Sequence, residues 1–403
     1  MNNTGNSNSE NRTRVLFLTN IPSPYRVDFF NEMGKKCELT VLFENNESSE
    51  RDVSWSYYNF ETFQGIIMRG KRINTDTAFC PDVISFLKKH YDYIIVTNIH
   101  SPTGILAVIY MKLNKLKYWV EGDGGFVSKG NWIKNMVKRF IISGAAGCFS
   151  TGITHDDYYY AYGAKKENVY RYPFTSLREN DLTQADELSV QDVLLLESTN
   201  DIKNDVLPKR KLIRLLARLA LDLPQDKTIV LYVGQMIYRK GIDLLLECAV
   251  EISNERDDFL FVFVGGDCPQ AYNSALSQHP NNIRFIPFAT KDKLMYYYRA
   301  SDLFCLPTRE DIWGLVINEA MANSLPIVTT QLCGAGLELV HNNINGYIIP
   351  TNDSLSLRDS IYKMIPFLMK MGLESRRLIS NYTIEEMSSR HMQVLESKNE
   401  IRN

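Results

Sequence analysis

The fold of this protein is indicated by one stretch of its sequence, IVLYVGQMIYRKGIDLLLECAV, which covers residues 229–250. The stretch opens with an apolar run of strand length, continues with a polar loop and ends with apolar residues at helical spacing. A strand, a loop and a helix in that order are the unit of parallel α/β sheets. The same succession begins at Val15–Thr19 and recurs along the chain. The pattern predicts an α/β protein whose parallel sheets are buried on both faces.

Two series of such units, in a chain of 403 residues, indicate two domains of similar size. The region between the two series lacks a strand pattern, and it contains an amphipathic helix at Lys209–Leu221. The last apolar-periodic stretch, Ile379–Leu395, fits against either domain. The predicted division begins with a disordered tail at 1–13 and a Rossmann-like domain at 14–178. A linker and leading helix at 179–226 precede a second Rossmann-like domain at 227–378. A C-terminal helix at 379–403 either stays with the second domain or crosses back to the first.

The composition excludes several classes of protein. With 44% hydrophobic and 23% charged residues the chain is of the ordinary globular kind, and a net charge of −2 gives no case for nucleic acid binding. Seven cysteines without a CxxC pair predict reduced thiols in a cytosol-like compartment. No apolar run reaches the ~18 to 20 residues of a membrane span, and the polar residues 1–14 do not resemble a signal peptide. We therefore expect a cytoplasmic protein.

Ligands of open parallel sheets bind beyond the carboxyl ends of the strands, so the loops there are candidate sites. The loop after Ile229–Val233 carries Gly234, Gln235, Arg239 and Lys240. Two adjacent cations before a helix predict a phosphate clamp, because helix-end N–H groups and an ammonium both favour an anion. A solvated basic loop is the alternative. The position after the first strand of a domain favours the clamp.

A second candidate loop carries Glu310 and Asp311 and ends at Gly314, where a helix begins with Leu315. Glu319 lies on an otherwise apolar face of that helix. Burying a carboxylate in such a place costs free energy unless another group balances its charge or donates hydrogen bonds to it. Sugar hydroxyls could donate such hydrogen bonds. The alternative is a structural ion pair with a nearby Lys or Arg.

A third loop contains Gly334, Ala335 and Gly336 after a strand at Ile327–Val328, and a helix is expected near Leu337. Small residues let backbone N–H groups approach a ligand. A plain tight turn is equally consistent with the same residues.

The first domain offers two polar loops of its own. Glu121, Asp123 and Gly124 follow one apolar run, while Tyr25 and Arg26 follow another. An acidic pair without further ligands argues against a metal and favours contact with an uncharged polar substrate. Tyr25 and Arg26 are candidates for an aromatic wall and an anion partner, and a hydrophobic staple is the alternative for Tyr25.

Several familiar motifs are absent from the sequence. Neither opening strand is followed by G-x-G-x-x-G, and G-x-x-x-x-G-K-[ST] is not found, which excludes dinucleotide oxidoreductases and P-loop NTPases. The sequence contains no G-x-S-x-G and no H-x-x-x-H, so hydrolases and zinc enzymes lack support.

Two segments resemble a known family, the retaining nucleotide-sugar glycosyltransferases of the GT4 type, also called glycosyl transferases group 1. They are VGQMIYRKGIDLL at 233–245 and DIWGLVINEAMANSLPIV at 311–328. The resemblance implies the GT-B fold, in which two Rossmann-like domains face a central cleft. It also implies that Lys240 binds the donor diphosphate, that Glu319 binds the nucleotide ribose, and that Asp311 occupies the first position of the family's E-x7-E pair.

The donor site that this resemblance implies comprises Gly234, Gln235, Arg239, Lys240, Glu310, Asp311, Gly314, Leu315, Glu319, Gly334, Ala335 and Gly336. The family commonly has a glutamate where Asp311 stands and an arginine where Gln235 stands, and a histidine often lies near the loop that here contains Glu121. The aspartate at 311 affects the contact with the sugar, and the glutamine at 235 affects how fully the phosphate charge is neutralised.

The resemblance further implies a reaction. The sugar of a nucleotide donor, UDP-sugar in preference to GDP-sugar, passes with retention to a hydroxyl of a saccharide or lipid-linked acceptor in cell-surface polysaccharide synthesis. The acceptor is expected on the first domain. No divalent metal is implied, because Lys240 and helix-end N–H groups can take its electrostatic role. A sugar-nucleotide epimerase and a non-catalytic nucleotide-sugar-binding protein are the alternatives.

One amphipathic segment has two interpretations. Residues 129–142 combine seven large apolar side chains with three lysines and an arginine. Such a helix either lies on an anionic membrane surface, which would make the protein peripheral on the cytoplasmic face, or packs its apolar face inside.

Overall fold

The structure is a computed structural model, which describes residues 12–46, 59–74, 77–127, 130–188, 209–278 and 281–400. Residues 1–11 of the predicted tail and residues 189–208 of the predicted linker lie outside the described residues. The chain divides into two compact units. The first unit comprises residues 1–175 and 383–403, and the second comprises 176–382.

The described part of the first unit has these strands, in chain order: β1 (Arg14–Thr19), β2 (Glu38–Phe43), β3 (Gln64–Ile67), β4 (Lys71–Arg72), β5 (Ala78–Phe79), β6 (Tyr93–Val96), β7 (Trp119–Glu121), β8 (Gly147–Ser150) and β9 (Val169–Arg171). Seven of them form a parallel sheet in the order β3-β2-β1-β6-β7-β8-β9, while β4 and β5 form an antiparallel pair. The helices of this unit are α1 (Pro24–Gly34), α2 (Val83–Leu87), α3 (Pro102–Leu113), α4 (Trp132–Ile142), α5 (Ile153–Ala161) and, from the end of the chain, α15 (Ile384–Glu400).

The described part of the second unit has the strands β10 (Thr228–Val233), β11 (Phe259–Val264), β12 (Ile283–Ile286), β13 (Leu303–Leu306), β14 (Ile327–Thr330) and β15 (Gly346–Ile349). They form one parallel sheet in the order β12-β11-β10-β13-β14-β15. Its helices are α6 (Glu179–Ala185), α7 (Lys209–Ala220), α8 (Ile242–Glu255), α9 (Asn273–Gln278), α10 (Lys291–Ala300), α11 (Leu315–Ala322), α12 (Gly334–Leu339), α13 (Ser354–Met364) and α14 (Leu368–Leu378).

The central strands are buried on both faces. Val15, Leu16, Phe17 and Leu18 are consecutive and at most 2% exposed, and β10 and β11 have the same continuous burial. Continuous burial requires helices on both sides of each sheet, as in other doubly wound α/β proteins. The two parallel sheets confirm the predicted α/β class.

The strand order brings particular loops together. In the second unit the chain runs outward from β10 to β12 and then returns to β13, on the other side of β10. The loops after β10 and β13 therefore leave the carboxyl edge of the sheet side by side, which is where ligands bind in such folds. In the first unit β1 and β6 stand in the same relationship.

Some boundaries differ from the prediction. Helix α12 begins at Gly334, three residues before the expected start, because Cys333 is its N-cap and accepts the hydrogen bond of Leu337 N–H. Glu121, expected in a loop, is the last residue of β7. Helix α15 packs against α1 in the first unit. Among the described helices, none combines the length and the hydropathy that spanning a bilayer requires.

Candidate active site

The loop after β10 owes its shape to one glycine. Tyr238–Lys240 form a single 3₁₀ turn, which Gly241 ends with a φ of 72° before α8 begins. A Cβ on Gly241 would lie 1.9 Å from the carbonyl oxygen of Pro307, which no side chain could tolerate. The glycine thus allows this loop to contact the chain that leaves β13.

The predicted phosphate clamp and the first predicted acidic residue are in direct contact. Lys240 Nζ lies 2.5 Å from Asp311 Oδ2, and the two side chains are 16% and 13% exposed. Partial burial strengthens such a pair relative to a surface ion pair. An ammonium has three N–H donors, so Lys240 can hold Asp311 and still donate to a phosphate oxygen.

Backbone carbonyls tie the same two loops together. Arg239 donates through Nη1 to the carbonyl of Glu310 at 2.9 Å, while the Arg239 carbonyl accepts from Thr308 Oγ1 at 3.0 Å and from Arg309 N–H at 2.8 Å. The Arg239 guanidinium therefore already donates one hydrogen bond within the protein. The Glu310 side chain is exposed.

Sequence reasoning missed Arg309. Its guanidinium makes two 2.7 Å bonds with the carboxylate of Asp243, and it lies over the Tyr238 ring at 3.6 Å from the centroid. Two parallel bonds from a planar guanidinium set both distance and orientation. Arg309 thus joins the loop after β13 to the first turn of α8, a role that charge alone does not reveal in the sequence.

The glycine-rich loop after β14 contacts the Asp311 loop through its backbone. Gly334 N–H donates to the Asp311 carbonyl at 3.1 Å, and Ala335 N–H donates to the Trp313 carbonyl at 2.8 Å. A Cβ on Gly334 would lie 2.2 Å from the carbonyl oxygen of Ile312. These two N–H groups, expected to approach a ligand, are used within the protein. They hold Asp311 in place.

Two further predicted positions complete this region. Gly314 has a φ of 97°, and a Cβ there would lie 2.9 Å from Cys333 Sγ, so the turn into α11 requires glycine. Leu315 is the first residue of α11 and is half-buried. On the β10 side, the Gln235 carbonyl accepts a 2.8 Å hydrogen bond from Tyr232 Oη, next to Gly234.

Glu319 is held by hydroxyl groups on the second turn of α11. Tyr298 Oη donates to its Oε2 at 2.9 Å, and Ser176 Oγ donates to its Oε1 at 3.1 Å. Burial raises the pKa of Glu319, and the two hydrogen bonds partly oppose that rise. Within the part of the chain that the structure describes, no cation lies within salt-bridge distance of this carboxylate. The ion-pair interpretation of Glu319 is therefore not favoured.

In the first unit the two predicted loops meet. Arg26, in the first turn of α1, forms ion pairs with both Glu121 and Asp123. Tyr25 Oη donates to Asp123 Oδ2 at 2.8 Å. Gly124 follows in the same loop with a φ of 131°. The guanidinium predicted to bind a ligand anion is thus neutralised by carboxylates of the protein itself.

Histidines reach this cluster from other parts of the chain. His391 of α15 lies 3.2 Å through Nε2 from Glu121 Oε2, and its ring stacks on Phe149 with centroids 4.2 Å apart. Burial alone would raise the pKa of Glu121, but Arg26 and His391 lower it to about 2. His155 lies near Gly122, and its burial lowers its pKa to about 3. The sequence shows no histidine in this loop because both come from distant helices.

The exposure of the two acidic side chains differs. Glu121 has no exposed side-chain surface, whereas 42% of the Asp123 side chain is exposed. Of the two, Asp123 is therefore the carboxylate that solvent or a ligand can reach. Within the described residues, His, Cys, Asp and Glu side chains do not form a group of three or more suited to a metal ion.

The chain resembles proteins of known class. Residues 216–385 match the family described as glycosyl transferases group 1. The D-inositol 3-phosphate glycosyltransferase of Salinispora tropica is 28% identical over 165 residues, which are 38% of this chain and 34% of that protein. An uncharacterized glycosyltransferase of Haemophilus influenzae is 30% identical over 191 residues, covering 46% of this chain and 50% of that protein. The chain thus spans between about a third and a half of the length of these curated relatives.

A solved structure extends the likeness to the whole fold. Anabaena Alr3699/HepE in complex with UDP superposes with a TM-score of 0.72 at 14% identity, covering 96% of this chain and 100% of that one. At that identity the likeness concerns the fold alone. Together with the family match and the two parallel sheets, it confirms the predicted fold and the predicted resemblance. Residues 216–385 of this chain match the glycosyl transferases group 1 family, and its two α/β units have the GT-B fold.

Proposed function

We propose that this protein is a retaining glycosyltransferase, which moves a sugar from a nucleotide-diphosphate donor to a hydroxyl of a saccharide or lipid-linked acceptor. The observation that carries the proposal is the 2.5 Å contact of Lys240 with Asp311 in loops that leave adjacent strands of one sheet. An ammonium beside a carboxylate suits a ligand that is an anion at one end and a polyol at the other.

The donor is proposed to bind the second unit. Lys240 and the first turn of α8 take the diphosphate, with Gly234, Gln235 and Arg239 beside it, and Glu319 accepts hydrogen bonds from the ribose hydroxyls. Asp311 contacts the sugar, flanked by Glu310, Gly314 and Leu315. Gly334 and Ala335, which Gly336 follows in α12, support the loop that carries Asp311 rather than donating to phosphate, since their N–H groups are bonded to the carbonyls of Asp311 and Trp313. UDP is favoured over GDP, in keeping with the neighbour solved with UDP-glucose.

The proposed chemistry needs no protein base. The acceptor oxygen bonds to the anomeric carbon on the face from which the phosphate oxygen departs. The departing phosphate oxygen takes the proton of the acceptor hydroxyl. Negative charge grows on the leaving diphosphate, so the Lys240 ammonium contributes most where the charge develops. The same ammonium takes the role that a divalent metal has in other transferases.

The acceptor is proposed to bind the first unit, through Tyr25, Asp123 and Gly124. Arg26 and Glu121 hold Asp123 in position from the buried side. The curated relative from Salinispora tropica is named for an inositol phosphate acceptor, so a ring hydroxyl is a chemically consistent target. We place the activity in cell-surface polysaccharide synthesis, in the cytoplasm at the membrane face.

A panel of nucleotide sugars tests the proposal. A donor that binds the folded state raises the melting temperature with its affinity, and UDP-sugars are expected to raise it most. The stabilising donor is then incubated with candidate acceptors, and the anomeric proton is followed by NMR. Release of UDP with a retained anomeric configuration, unchanged by EDTA, is the expected outcome. An epimerised donor, or binding without any release of nucleotide, would reject transfer.

A further inference from the structure

The ring of His391, in the C-terminal helix α15, is completely buried in the first unit. Its centroid lies 4.2 Å from that of the Phe149 ring, on which it stacks. The rings of Phe29 and Tyr172 pack against it as well, with centroids at 4.9 and 4.5 Å. A buried ring nitrogen has to find its hydrogen-bond partner within the protein. The atoms that face the two nitrogens therefore indicate which of them carries a proton.

Both ring nitrogens of His391 face hydrogen-bond acceptors. Nδ1 lies 2.7 Å from the carbonyl oxygen of Met387, and Nε2 lies 3.2 Å from Glu121 Oε2. The carbonyl has no proton to donate. Burial opposes the ionisation of Glu121, but Arg26 and His391 lower its pKa to about 2, so this partner is a carboxylate. A neutral imidazole has a single N–H and can donate to one of the two acceptors, whereas an imidazolium donates to both.

His155, another buried histidine beside the same loop, has the opposite surroundings. The backbone N–H of Thr151 donates to its Nδ1 at 3.3 Å, so this nitrogen carries no proton. Burial lowers the pKa of His155 to about 3, although the charge of Glu121 acts against that shift. His155 is therefore neutral, while the atoms that face His391 require a cation. The difference comes from the hydrogen-bond partners, since both rings are buried.

The charges around His391 balance when it is protonated. Glu121 forms a further ion pair with Arg26, and Arg26 forms another with Asp123. Among the described residues of this cluster, two cations then meet two carboxylates. Tyr172 Oη lies 3.4 Å from Glu121 Oε1 and adds no charge, because burial raises the pKa of this phenol. A neutral His391 would leave the cluster with an uncompensated buried negative charge, which destabilises a fold.

We propose that His391 stays an imidazolium in the folded protein and that this charge positions the loop of Asp123. The path is short. His391 donates to one oxygen of Glu121, while Arg26 binds the other oxygen and also binds Asp123. Glu121 ends β7, and Asp123 lies two residues beyond it. The charge of His391 is independent of the transfer reaction, whereas its effect on acceptor binding rests on the proposed function.

NMR of the full chain with ¹⁵N-labelled histidine tests the charge without any substrate. At about pH 7, where an ordinary histidine is mostly neutral, both ring nitrogens of His391 are expected to show the chemical shift of a protonated nitrogen. His155 is expected to show one protonated and one bare nitrogen. The spectrum of His391→Gln assigns the signals, and in Glu121→Gln the second proton of His391 should be lost. A bare His391 nitrogen in the parent, or an imidazolium that persists in Glu121→Gln, would overturn the proposal.

Hydrogen exchange tests the positioning step, again without substrates. His391→Gln keeps an N–H donor and loses the charge, while His391→Phe keeps the packing of a ring and loses both N–H groups. In both variants the backbone amides of residues 122–126 are expected to exchange at least about tenfold faster than in the parent. His90→Gln, at a side chain 79% exposed in the same unit, is the control and should exchange as the parent does. Thermal melting confirms that each variant is folded. Parental exchange in His391→Phe would show that packing alone orders the loop, and the proposal would be rejected.

Steady-state kinetics separates this inference from the proposed function. His391→Gln is expected to raise the KM of the acceptor about tenfold and to leave the KM of the donor within about twofold of the parent, because the donor is proposed to bind the second unit. An unchanged acceptor KM in the folded variant would reject the positioning role. If the parent transferred no sugar at all, the proposed function would fail, and the spectra and the exchange rates would still decide the charge of His391 and its effect on the loop.

Discussion

The ammonium of Lys240 lies 2.5 Å from the carboxylate of Asp311, although the two residues are 71 positions apart in the sequence. Their strands explain the contact. Strands β10 and β13 pair in parallel, with Val230 opposite Leu303, so the two loops begin side by side at one edge of the sheet. The parallel pairing therefore turns two distant sequence motifs into one charged site.

The first prediction concerns the two members of this pair. Asp311→Asn removes the counter-charge of Lys240 and the proposed sugar contact. We expect the donor KM to fall about fivefold, because the freed ammonium binds diphosphate more strongly, and kcat to fall about a hundredfold. Lys240→Ala is expected to lower kcat/KM by about 10²–10³-fold. Steady-state kinetics with the donor that the nucleotide-sugar panel selects measures both values.

Lys227→Ala is the control for this pair, because Lys227 lies in the same unit and its ammonium bonds the carbonyl of Asn281 at the surface. Its kinetics should match those of the parent. Parental kinetics in Lys240→Ala would remove Lys240 from the site, and a simultaneous rise in KM for Asp311→Asn would contradict the proposed competition for the ammonium.

The second prediction concerns the pKa of Glu319. Burial raises this pKa, and the hydrogen bond from Tyr298 opposes the rise. Tyr298→Phe should therefore raise the Glu319 pKa further. The ionised carboxylate accepts the ribose hydroxyls, so UDP affinity is present above this pKa and is lost as pH falls through it. The acid limb of the affinity profile is thus expected to move to higher pH in the variant.

Titration of UDP binding by calorimetry between pH 5 and 8, roughly the range in which proteins are most stable, checks this shift. Tyr297→Phe, one residue earlier on α10, is the matched control. Superimposable profiles for Tyr298→Phe and the parent would show that Tyr298 does not act through Glu319.

The third prediction concerns Gly241. Its backbone has a φ of 72°, and a Cβ at this position would lie 1.9 Å from the carbonyl oxygen of Pro307, so there is no room for alanine. Gly241→Ala is expected to lower the free energy of unfolding by about 3 kcal/mol or more, since strain and a backbone clash add. In Gly266→Ala the new methyl meets only the flexible Met236 side chain at 3.0 Å, so a much smaller loss is expected in urea unfolding. Equal losses would contradict the backbone argument.

The fourth prediction distinguishes the structural role of Glu121 from the proposed acceptor contact of Asp123 in the first unit. Glu121→Gln leaves the buried Arg26 with one carboxylate, and we expect a loss of about 3 kcal/mol in the free energy of unfolding at pH 7. The folded-state pKa of Glu121 is about 2, below its usual 4.5, so the stabilisation is present above pH 4.5 and is lost as pH falls toward 2. The difference between variant and parent should therefore vanish in acid.

Asp123→Asn changes a side chain that is 42% exposed, and it is expected to alter the free energy of unfolding by less than about 1 kcal/mol while lowering the transfer rate. Denaturant titrations and acceptor kinetics on both variants decide the matter. A more destabilised Asp123→Asn than Glu121→Gln would reverse the proposed roles.

The fifth prediction concerns Glu44, a buried carboxyl group at the end of β2. Burial raises its pKa to about 7, against which hydrogen bonds from Ser101, Ala78 N–H and Asn98 act. The folded state therefore binds a proton that the unfolded state has released above pH 4.5. The contribution of Glu44 to stability is full below that pH and is lost as pH rises through 7.

Glu44→Gln removes this titration. The free energy of unfolding of the variant, relative to the parent, should rise between pH 5 and pH 8 by an amount on the order of 3 kcal/mol. Urea unfolding at both pH values measures the difference. A constant difference would show that Glu44 does not titrate in this range.

Much of the fold could be predicted from the sequence. Continuous apolar runs such as those at β1 and β10 require burial on both faces, and this requirement predicts parallel sheets between helices. The candidate loops could be located in the same way, because ligands bind beyond strand ends. Gly241 and Gly314 also stood in those loops, although their positive φ angles are visible only in the structure.

The partners of the charged groups could not be predicted. Arg26 contacts Glu121 across 95 positions, and Glu121 contacts His391 across 270. Such pairs depend on strand order and on where the last helix packs, which no local periodicity encodes. The hydroxyl groups that hold Glu319, from Ser176 and Tyr298, were missed for the same reason.

By itself the sequence determined the α/β class, the loops in which chemistry is possible and the family that residues 216–385 resemble, because these depend on local periodicity and short motifs. Only the tertiary structure decided that Lys240 faces Asp311, that Glu121 is buried while Asp123 is exposed, and that α4 leaves its apolar face uncovered. Solvent exposure and long-range charge pairing arise from the packing of distant segments, so they become visible only when the chain is folded.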